Sequence, residues 1–362
     1  MARVHTTPFN ETDCIGDCYE PINDSLANLD TAMQDLRTDV NSVSGNVTEL
    51  LGGIHNIMNI RMSLSATAAI TTTDIKNATN LYIHPYNGEV VSLWSTTRNR
   101  WELKQFSSII TVSLSSLLAN KNYDIYLHFS SGSFQVEFVA WSSHVAGTAP
   151  PTTGSQNGIL VKSGEPNKRL IGCLRTTTNG QTEVSFGRVA AVGGSHPKLF
   201  VWNLYNQHPA SFSILETGTV NGYSTGINGW TSTAAGAKAA ANGPFEPFGG
   251  TNNKVSFISR TPQAVNLKTT TYVKKAIAFY FAYSLNLETP DVTQYFSETP
   301  GIPIFEATLG TQGITPHYTN TIDPGYHYLQ LVSMTYSGTT QVYITWTGDR
   351  HSYGTIGTLA TY

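Results

Sequence analysis

The sequence predicts a mainly β protein with an N-terminal α-helical coiled coil, in which β-sandwich or jelly-roll-like domains are carried on a trimeric stalk. Apolar residues follow a 4–3 spacing from Ile22 to Ile57, and beyond Ser65 the spacing changes to alternation. Charged residues make up 12% of the chain, about half the usual ~25%. The chain has 362 residues, which exceeds the ~250–300 residues served by one hydrophobic core, so several domains are expected.

The helical element is predicted from a run in which each apolar residue follows the previous one by four or three residues, in strict alternation. Such spacing keeps one seam of a helix facing a partner helix. Pro21 precedes the run, so we expect the helix to start there and the stalk to cover residues 21–62. The predicted seam consists of Ile22, Leu26, Leu29, Met33, Leu36, Val40, Val43, Val47, Leu50, Ile54 and Ile57.

The identity of the seam residues favours three strands over two. Leu26 occupies an a position, and β-branched Ile22, Val43 and Ile57 occupy d positions, whereas dimers prefer the reverse. Glycines such as Gly45 lower the helix propensity, so we expect the helix to be stabilised by association. The alternative is an amphipathic helix that packs on its own globular domain.

Two β-rich bodies are predicted beyond the stalk, over residues 63–192 and 193–362, with the boundary at a Gly-Gly-Ser-His-Pro segment. Residues 123–138 alternate between apolar and polar around a Ser-Ser-Gly-Ser turn, which predicts a β-hairpin. A turn is expected at 165–167. Further strands are predicted at 80–84, 89–94, 100–103, 159–162, 169–175, 182–186, 198–204, 211–217, 254–258, 275–287, 326–336 and 341–347.

The sequence gives no sign of a catalytic, cofactor or metal site. It lacks G-x-S-x-G, phosphate-loop and H-E-x-x-H motifs, and its ten histidines are dispersed. His317, His327 and Asp323 could form a ligand trio, but we expect solvated loop residues. With a net charge of −3 and scattered Lys and Arg, a nucleic-acid partner is not expected. Neither a signal peptide nor an apolar run long enough for membrane insertion is evident.

The three cysteines do not form an intrachain disulfide framework. Cys14 and Cys18 lie near the start of the predicted stalk, where neighbouring chains of a parallel trimer would bring them close. Interchain disulfides at Cys14 and Cys18 are therefore one possibility, and unpaired thiols are the other. Cys173 lies in a predicted apolar strand, where we expect a buried, inert thiol.

Several short segments together resemble a domain of tailed-bacteriophage and prophage structural proteins. They contain turn and core residues and no catalytic residue, and the N-terminal stalk is not part of the resemblance. The segments are 81–88 (LYIHPYNG), 101–107 (WELKQFS), 122–125 (NYDI), 157–164 (NGILVKSG), 169–172 (RLIG), 181–183 (QTE), 199–206 (LFVWNLYN) and 324–329 (PGYHYL). The resemblance implies a virion component, made in the cytoplasm of a bacterial host.

These observations predict a homotrimeric fibre without enzymatic activity. Residues 1–20 would anchor it to another virion protein of the tail, neck or capsid. Its distal β domain would contact a host-surface glycan or protein, with Tyr295, Phe296 and Tyr318 as candidate receptor-facing residues. One alternative is a capsid decoration or head fibre protein. Another is a tailspike that degrades surface polysaccharide, for which the acidic residues at 288, 291, 298 and 306 are the candidates.

Overall fold

The computed structural model describes residues 15–189, 196–218, 246–247, 254–274, 279–286, 305–307, 311–314, 317–335 and 351–359. The chain divides into two compact units, of which the first ends at Ile57 and the second begins at Met58. The described residues form one N-terminal helix and many strands, so the prediction of a mainly β protein with an N-terminal helix is confirmed. The strand predicted at 341–347 lies outside the described residues.

The helix, α1, spans Ile15–Ile54 and contains 40 residues, which corresponds to a length of about 60 Å. It begins six residues before Pro21, so the predicted start at Pro21 is wrong. Proline has no N–H and removes one intrahelical hydrogen bond, which here would have gone to the carbonyl of Asp17. The helix therefore tolerates Pro21 near its N-terminal end.

The helix ends earlier than the 4–3 pattern predicts. Gly52 and Gly53 disfavour the helical conformation, and Ile54 is its last residue. Ile57 lies beyond the helix, so its assignment to the seam is wrong. Met58 instead forms a β-bridge with Val91, and the residues that follow are buried in the β core.

The strands that precede residue 190 are β1 (Ile60–Ser63), β2 (Ile75–Ala78), β3 (Asn80–Pro85), β4 (Val90–Ser95), β5 (Arg100–Gln105), β6 (Ile110–Ser113), β7 (Asn122–Ser130), β8 (Ser133–Ala140), β9 (Gly154–Gln156), β10 (Ile159–Lys162), β11 (Glu165–Thr178), β12 (Gln181–Ser185) and β13 (Gly187–Val189). Those that follow are β14 (Lys198–Leu199), β15 (Val201–Asn203), β16 (Ala210–Gly218), β17 (Glu246–Pro247), β18 (Lys254–Ser259), β19 (Gln263–Lys274), β20 (Phe279–Leu285), β21 (Phe305–Ala307), β22 (Thr311–Ile314), β23 (His317–Ile322), β24 (Gly325–Thr335) and β25 (His351–Leu359).

Most of the predicted strands are found, with two differences of detail. The segment 198–204 forms two short strands, β14 and β15, and the segment predicted as a turn at 165–167 belongs to the long strand β11. The turn lies just before it, at Ser163 and Gly164, where Gly164 has a φ of 76°. A positive φ is easily adopted by glycine, so Gly164 decides where the chain reverses.

The described strands form three sheets and a separate hairpin. The largest sheet runs β21-β20-β24-β18-β14-β12-β11-β10-β9, with β2, β7, β8, β15 and β17 joined to it at the side. A second sheet contains β13, β16, β25, β19, β22 and β23, and a third has the order β1-β3-β6. β4 and β5 pair as a hairpin. Pairing is antiparallel except for β13 with β16 and β14 with β18.

The largest sheet contains strands from both sides of residue 193, where the sequence suggested a boundary between two bodies. β14 pairs with β12 on one side and with β18 on the other. One cluster of buried apolar side chains also crosses this position, and it includes Leu81, Ile125 and Val184 together with Leu199 and Phe257. Residues 58–362 accordingly belong to one compact unit.

The predicted hairpin at 123–138 is confirmed as β7 and β8, which pair from Tyr123–Ala140 to Ser130–Ser133. Asp124 and Tyr126, which alternate with the apolar residues of β7, are buried as well. β7 lies between β8 and β11, and other parts of the chain cover both of its faces. Asp124, on this strand, forms a buried ion pair with Arg260.

Candidate assembly interface and buried polar clusters

The helix α1 carries a row of apolar side chains that are exposed to solvent in the single chain. They recur every three or four residues, so they lie on one face of the helix. Six of them are between 57% and 64% exposed: Leu26, Leu29, Met33, Leu36, Val40 and Val43. We call these six residues the helix seam. Ile54, the last residue of the helix and also a predicted seam residue, is partly buried.

The helix seam differs from the described large apolar residues of the β unit, most of which are buried. Fully burying one such side chain stabilises by about 1.5–3 kcal/mol. Because each seam residue is more than half exposed, covering all six would contribute on the order of 5–10 kcal/mol per chain. A face with this much uncovered apolar area is typical of an interaction site.

The rest of the described helix surface offers little stabilisation of its own. Side-chain hydrogen bonds on this surface are local, such as those from Thr31 to the carbonyl of Ala27 at 2.9 Å and from Gln34 to Asp30 at 3.2 Å. The last turn has no basic residue to complement the helix dipole. The helix therefore gains most of its possible stability from whatever covers the helix seam.

The remaining predicted site residues are only partly described. Ile22, Val47 and Leu50 lie within α1, as does Cys18, but their side chains are outside the described residues. Cys14, Tyr295 and Phe296 are also outside them. Tyr318 lies in β23, where its backbone pairs with Leu267 of β19. The interchain disulfide and the receptor-facing residues remain predictions.

The β unit contains a buried ion pair that the sequence did not reveal. The carboxylate of Asp124 accepts bonds from the Trp141 indole and from the guanidinium of Arg260, each at 2.9 Å. The Tyr126 hydroxyl lies 3.4 Å away from it. Arg260 also donates to the carbonyl of Pro151 at 2.8 Å. Burial outweighs the attraction of Arg260 and raises the pKa of Asp124 to about 6.

A raised carboxyl pKa is also found in general acids, but the surroundings of Asp124 favour a structural role. The side chains of Asp124 and Arg260 are 1% and 6% exposed, so a substrate has no direct access to the carboxylate. Both carboxylate oxygens have protein partners. The ion pair connects β7 to the turn between β18 and β19, far apart in sequence.

His327 provides a correction to the sequence interpretation. It was expected to be a solvated loop residue, yet it lies on β24 and is buried. Its Nδ1 accepts a hydrogen bond from the Asn286 amide at 3.0 Å, and burial lowers its pKa. The side chain of His317, the third member of the possible ligand trio with Asp323, lies outside the described residues. Among the described residues, no group of three or more His, Cys, Asp or Glu could hold a metal ion.

Cys173 is a buried free thiol, as expected from its apolar strand. Burial and the nearby Asp124 raise its pKa well above the usual value. A thiolate is needed for nucleophilic chemistry, so this thiol is inert.

Comparisons with known proteins give no assignment. No protein-family model and no curated protein matches the chain. Weak similarity exists to the Bacillus thuringiensis insecticidal delta-endotoxin Cry8Ea1 (8% identity, TM-score 0.19, covering 84% of this chain and 52% of that chain). Similarly weak is the match to the B. thuringiensis Cry1Da tryptic core variant, with 9% identity and a TM-score of 0.17, covering 79% of this chain and 48% of that chain. The match to infectious bursal disease virus Gx strain has 11% identity and a TM-score of 0.21, covering 83% of this chain and 72% of that chain.

The chain spans about half the length of the two Cry toxin chains. At these TM-scores the similarities support no argument about fold or function. In the part of the chain that the structure describes, no helix has the length and apolar character needed to cross a membrane.

Proposed function

We propose that this protein is a non-enzymatic structural component of a tailed-bacteriophage particle that assembles as a homotrimer through the helix seam. Residues that precede the helix attach it to another virion protein, and the β unit faces the medium, where it contacts a host-surface glycan or protein. Three copies of each contact combine by avidity. The virion assignment rests on the segment resemblance in the sequence.

The observation that supports assembly is the exposure of the helix seam. Six apolar side chains at heptad spacing are more than half exposed in the single chain, while most large apolar residues in the described part of the β unit are buried. A second and third copy of the same helix cover such a seam, because identical a and d side chains interlock as knobs into holes. Leu26 at a and Val43 at d favour three chains.

Sedimentation equilibrium of the full-length protein tests this proposal. We expect a mass of about 118 kDa, three times the 39.3 kDa of the chain. A stable monomer over the micromolar range would overturn the assembly interface. A dimer would retain the coiled coil but refute the trimer.

A pair of matched variants separates the seam from the rest of the helix. Val43→Asp places a carboxylate in the seam, where its burial is unfavourable, and we expect the trimer to dissociate at least tenfold more readily. Thr38→Asp introduces the same charge on the opposite face and serves as the control. Equal effects of the two changes would contradict the seam assignment.

Localisation on the particle tests the virion assignment separately. A tagged protein should be incorporated into purified phage particles, and cryo-electron microscopy should place it. Density on a tail or neck supports a fibre, and density on the capsid lattice supports the decoration protein. Absence of the tagged chain from particles would refute both.

A further inference from the structure

The first strand after the helix, β1, is fixed along both of its edges, although only one edge pairs with another strand. On one edge β1 pairs with β3, from Ile60–Pro85 to Ser63–Tyr82. Just before β1, the N–H of Asn59 donates to Val90 at 3.2 Å. In an antiparallel strand the backbone groups of alternate residues point to opposite edges, which leaves Met58, Ile60 and Met62 to bond on the other side.

Two asparagine side chains occupy that second edge. The Asn203 amide bonds with both backbone groups of Met62: its Oδ1 accepts from the N–H at 2.7 Å, and its Nδ2 donates to the carbonyl at 3.1 Å. The Asn206 Nδ2 donates to the carbonyls of Met58 and Ile60 at 2.9 and 2.8 Å. The side-chain amides therefore replace the backbone of a missing neighbour strand.

Asn203 and Asn206 are themselves held in place. Asn203 ends β15, which pairs with β11 in the largest sheet. The Asn206 backbone has a φ of 52°, a left-handed conformation that asparagine tolerates, and its carbonyl accepts a bond from the guanidinium of Arg61. Arg61 also donates to Ala69 at 3.0 Å. Bonds thus run in both directions between β1 and the 203–206 segment.

We infer that Asn203 and Asn206 form a clamp that tethers the helix to the β unit by preventing β1 from peeling away. Any pull on the helix reaches the β unit along the chain at Met58, the first residue the clamp holds. The inference goes beyond the proposed function and does not depend on the number of helices that assemble.

Trypsin digestion of the full-length protein tests the clamp. The bond after Arg61 is protected while β1 is in place, since Arg61 is 1% exposed. We expect Asn203→Asp, which keeps the acceptor but replaces the donor to Met62, to speed cleavage there at least tenfold. Asn157→Asp at the exposed β9–β10 turn adds the same charge and should leave the rate unchanged.

Cleavage after Arg175 distinguishes local peeling from general unfolding. Arg175 lies on β11 and is also buried, so unfolding of the whole unit exposes both arginines, whereas peeling exposes Arg61 alone. A selective increase at Arg61, quantified by mass spectrometry, supports the clamp. Equal increases at both sites, or no increase at Arg61, overturn it.

A second variant keeps the test decisive if Asn203→Asp fails to fold. Asn206→Asp removes the two donor bonds to β1 at the less buried end of the clamp, while its oxygen can still accept from Asn87 and its backbone tolerates the left-handed conformation. It should give the same selective cleavage at Arg61. Because the assay does not report the number of chains, a negative result here leaves the proposed trimer untouched, and a monomer in sedimentation leaves the clamp untouched.

Discussion

The buried carboxylate of Asp124 gives a prediction whose sign depends on which of two effects is larger. Burial raises its pKa, while the guanidinium of Arg260 and the Trp141 indole lower it. Replacing Asp124 by Asn keeps the shape and removes the titrating group. The difference in unfolding free energy between the wild type and this variant therefore isolates the titration of Asp124.

The expected magnitude follows from linkage. A folded-state pKa of about 6 lies above the unfolded value of 3.8, so the folded protein binds the proton more tightly. Its contribution to stability is fully present below pH 3.8 and is lost as the pH rises through about 6. At 1.36 kcal/mol for each pKa unit, the loss amounts to about 3 kcal/mol.

The assay is urea unfolding of both proteins at intervals between pH 4 and pH 7. We expect the wild type to lose about 2.4 kcal/mol of this total relative to Asp124→Asn over this range, because at pH 4 the unfolded carboxyl is already partly ionised. If the wild type instead gains relative stability as the pH rises, the ion pair dominates burial and the reasoning is wrong. Arg260→Met should make the unfolding free energy depend more steeply on pH. It should also lower that free energy by about 3–5 kcal/mol at pH 7, because it leaves the buried charge of Asp124 unpaired.

Two further predictions concern single residues of the β unit. Burial lowers the pKa of His327 below 6.5, so the wild type should lose stability relative to His327→Gln as the pH falls below 6.5, measured by urea unfolding. In Gly172→Ala the new methyl group would overlap the carbonyl of Trp202 and the Met62 side chain. We expect a loss of about 1–3 kcal/mol, or several degrees in calorimetric Tm, and an unchanged Tm would refute the close packing.

The sequence predicted elements whose signal is local. The hairpin of β7 and β8 follows from alternation around Gly132, and the helix from its apolar spacing. Ile57 fits the 4–3 pattern by arithmetic, yet it lies outside the helix because the following residues gain more by burial in the β core. The periodicity of a segment predicts its local structure but contains no information about the strands, distant in sequence, against which the segment packs.

The buried polar clusters were missed for a related reason. Asp124 is one of the residues that alternate with the apolar residues of a predicted strand, and its partner Arg260 lies 136 residues away. No spacing rule connects them, since their proximity depends on how β7 and the β18–β19 turn meet in the folded unit. The bonds of Asn203 and Asn206 to β1 could not be predicted either, because asparagine in a sequence usually indicates a turn.

The helix and the β unit differ in what stabilises them, and this difference predicts two separate thermal transitions. In the proposed trimer the helix is stabilised by association, so its melting temperature should rise with protein concentration by mass action. The β unit has a buried core within one chain, so its transition should be independent of concentration. Helical ellipticity reports the first transition, and the fluorescence of the buried Trp141 and Trp202 reports the second.

A hundredfold dilution should lower the helix transition by several degrees and leave the tryptophan transition in place. Val43→Asp should shift only the helix transition, and Asp124→Asn only the tryptophan transition. If the helix signal melts at the same temperature at every concentration, its seam is covered within one chain, and the helix belongs to the fold of the monomer rather than to an assembly.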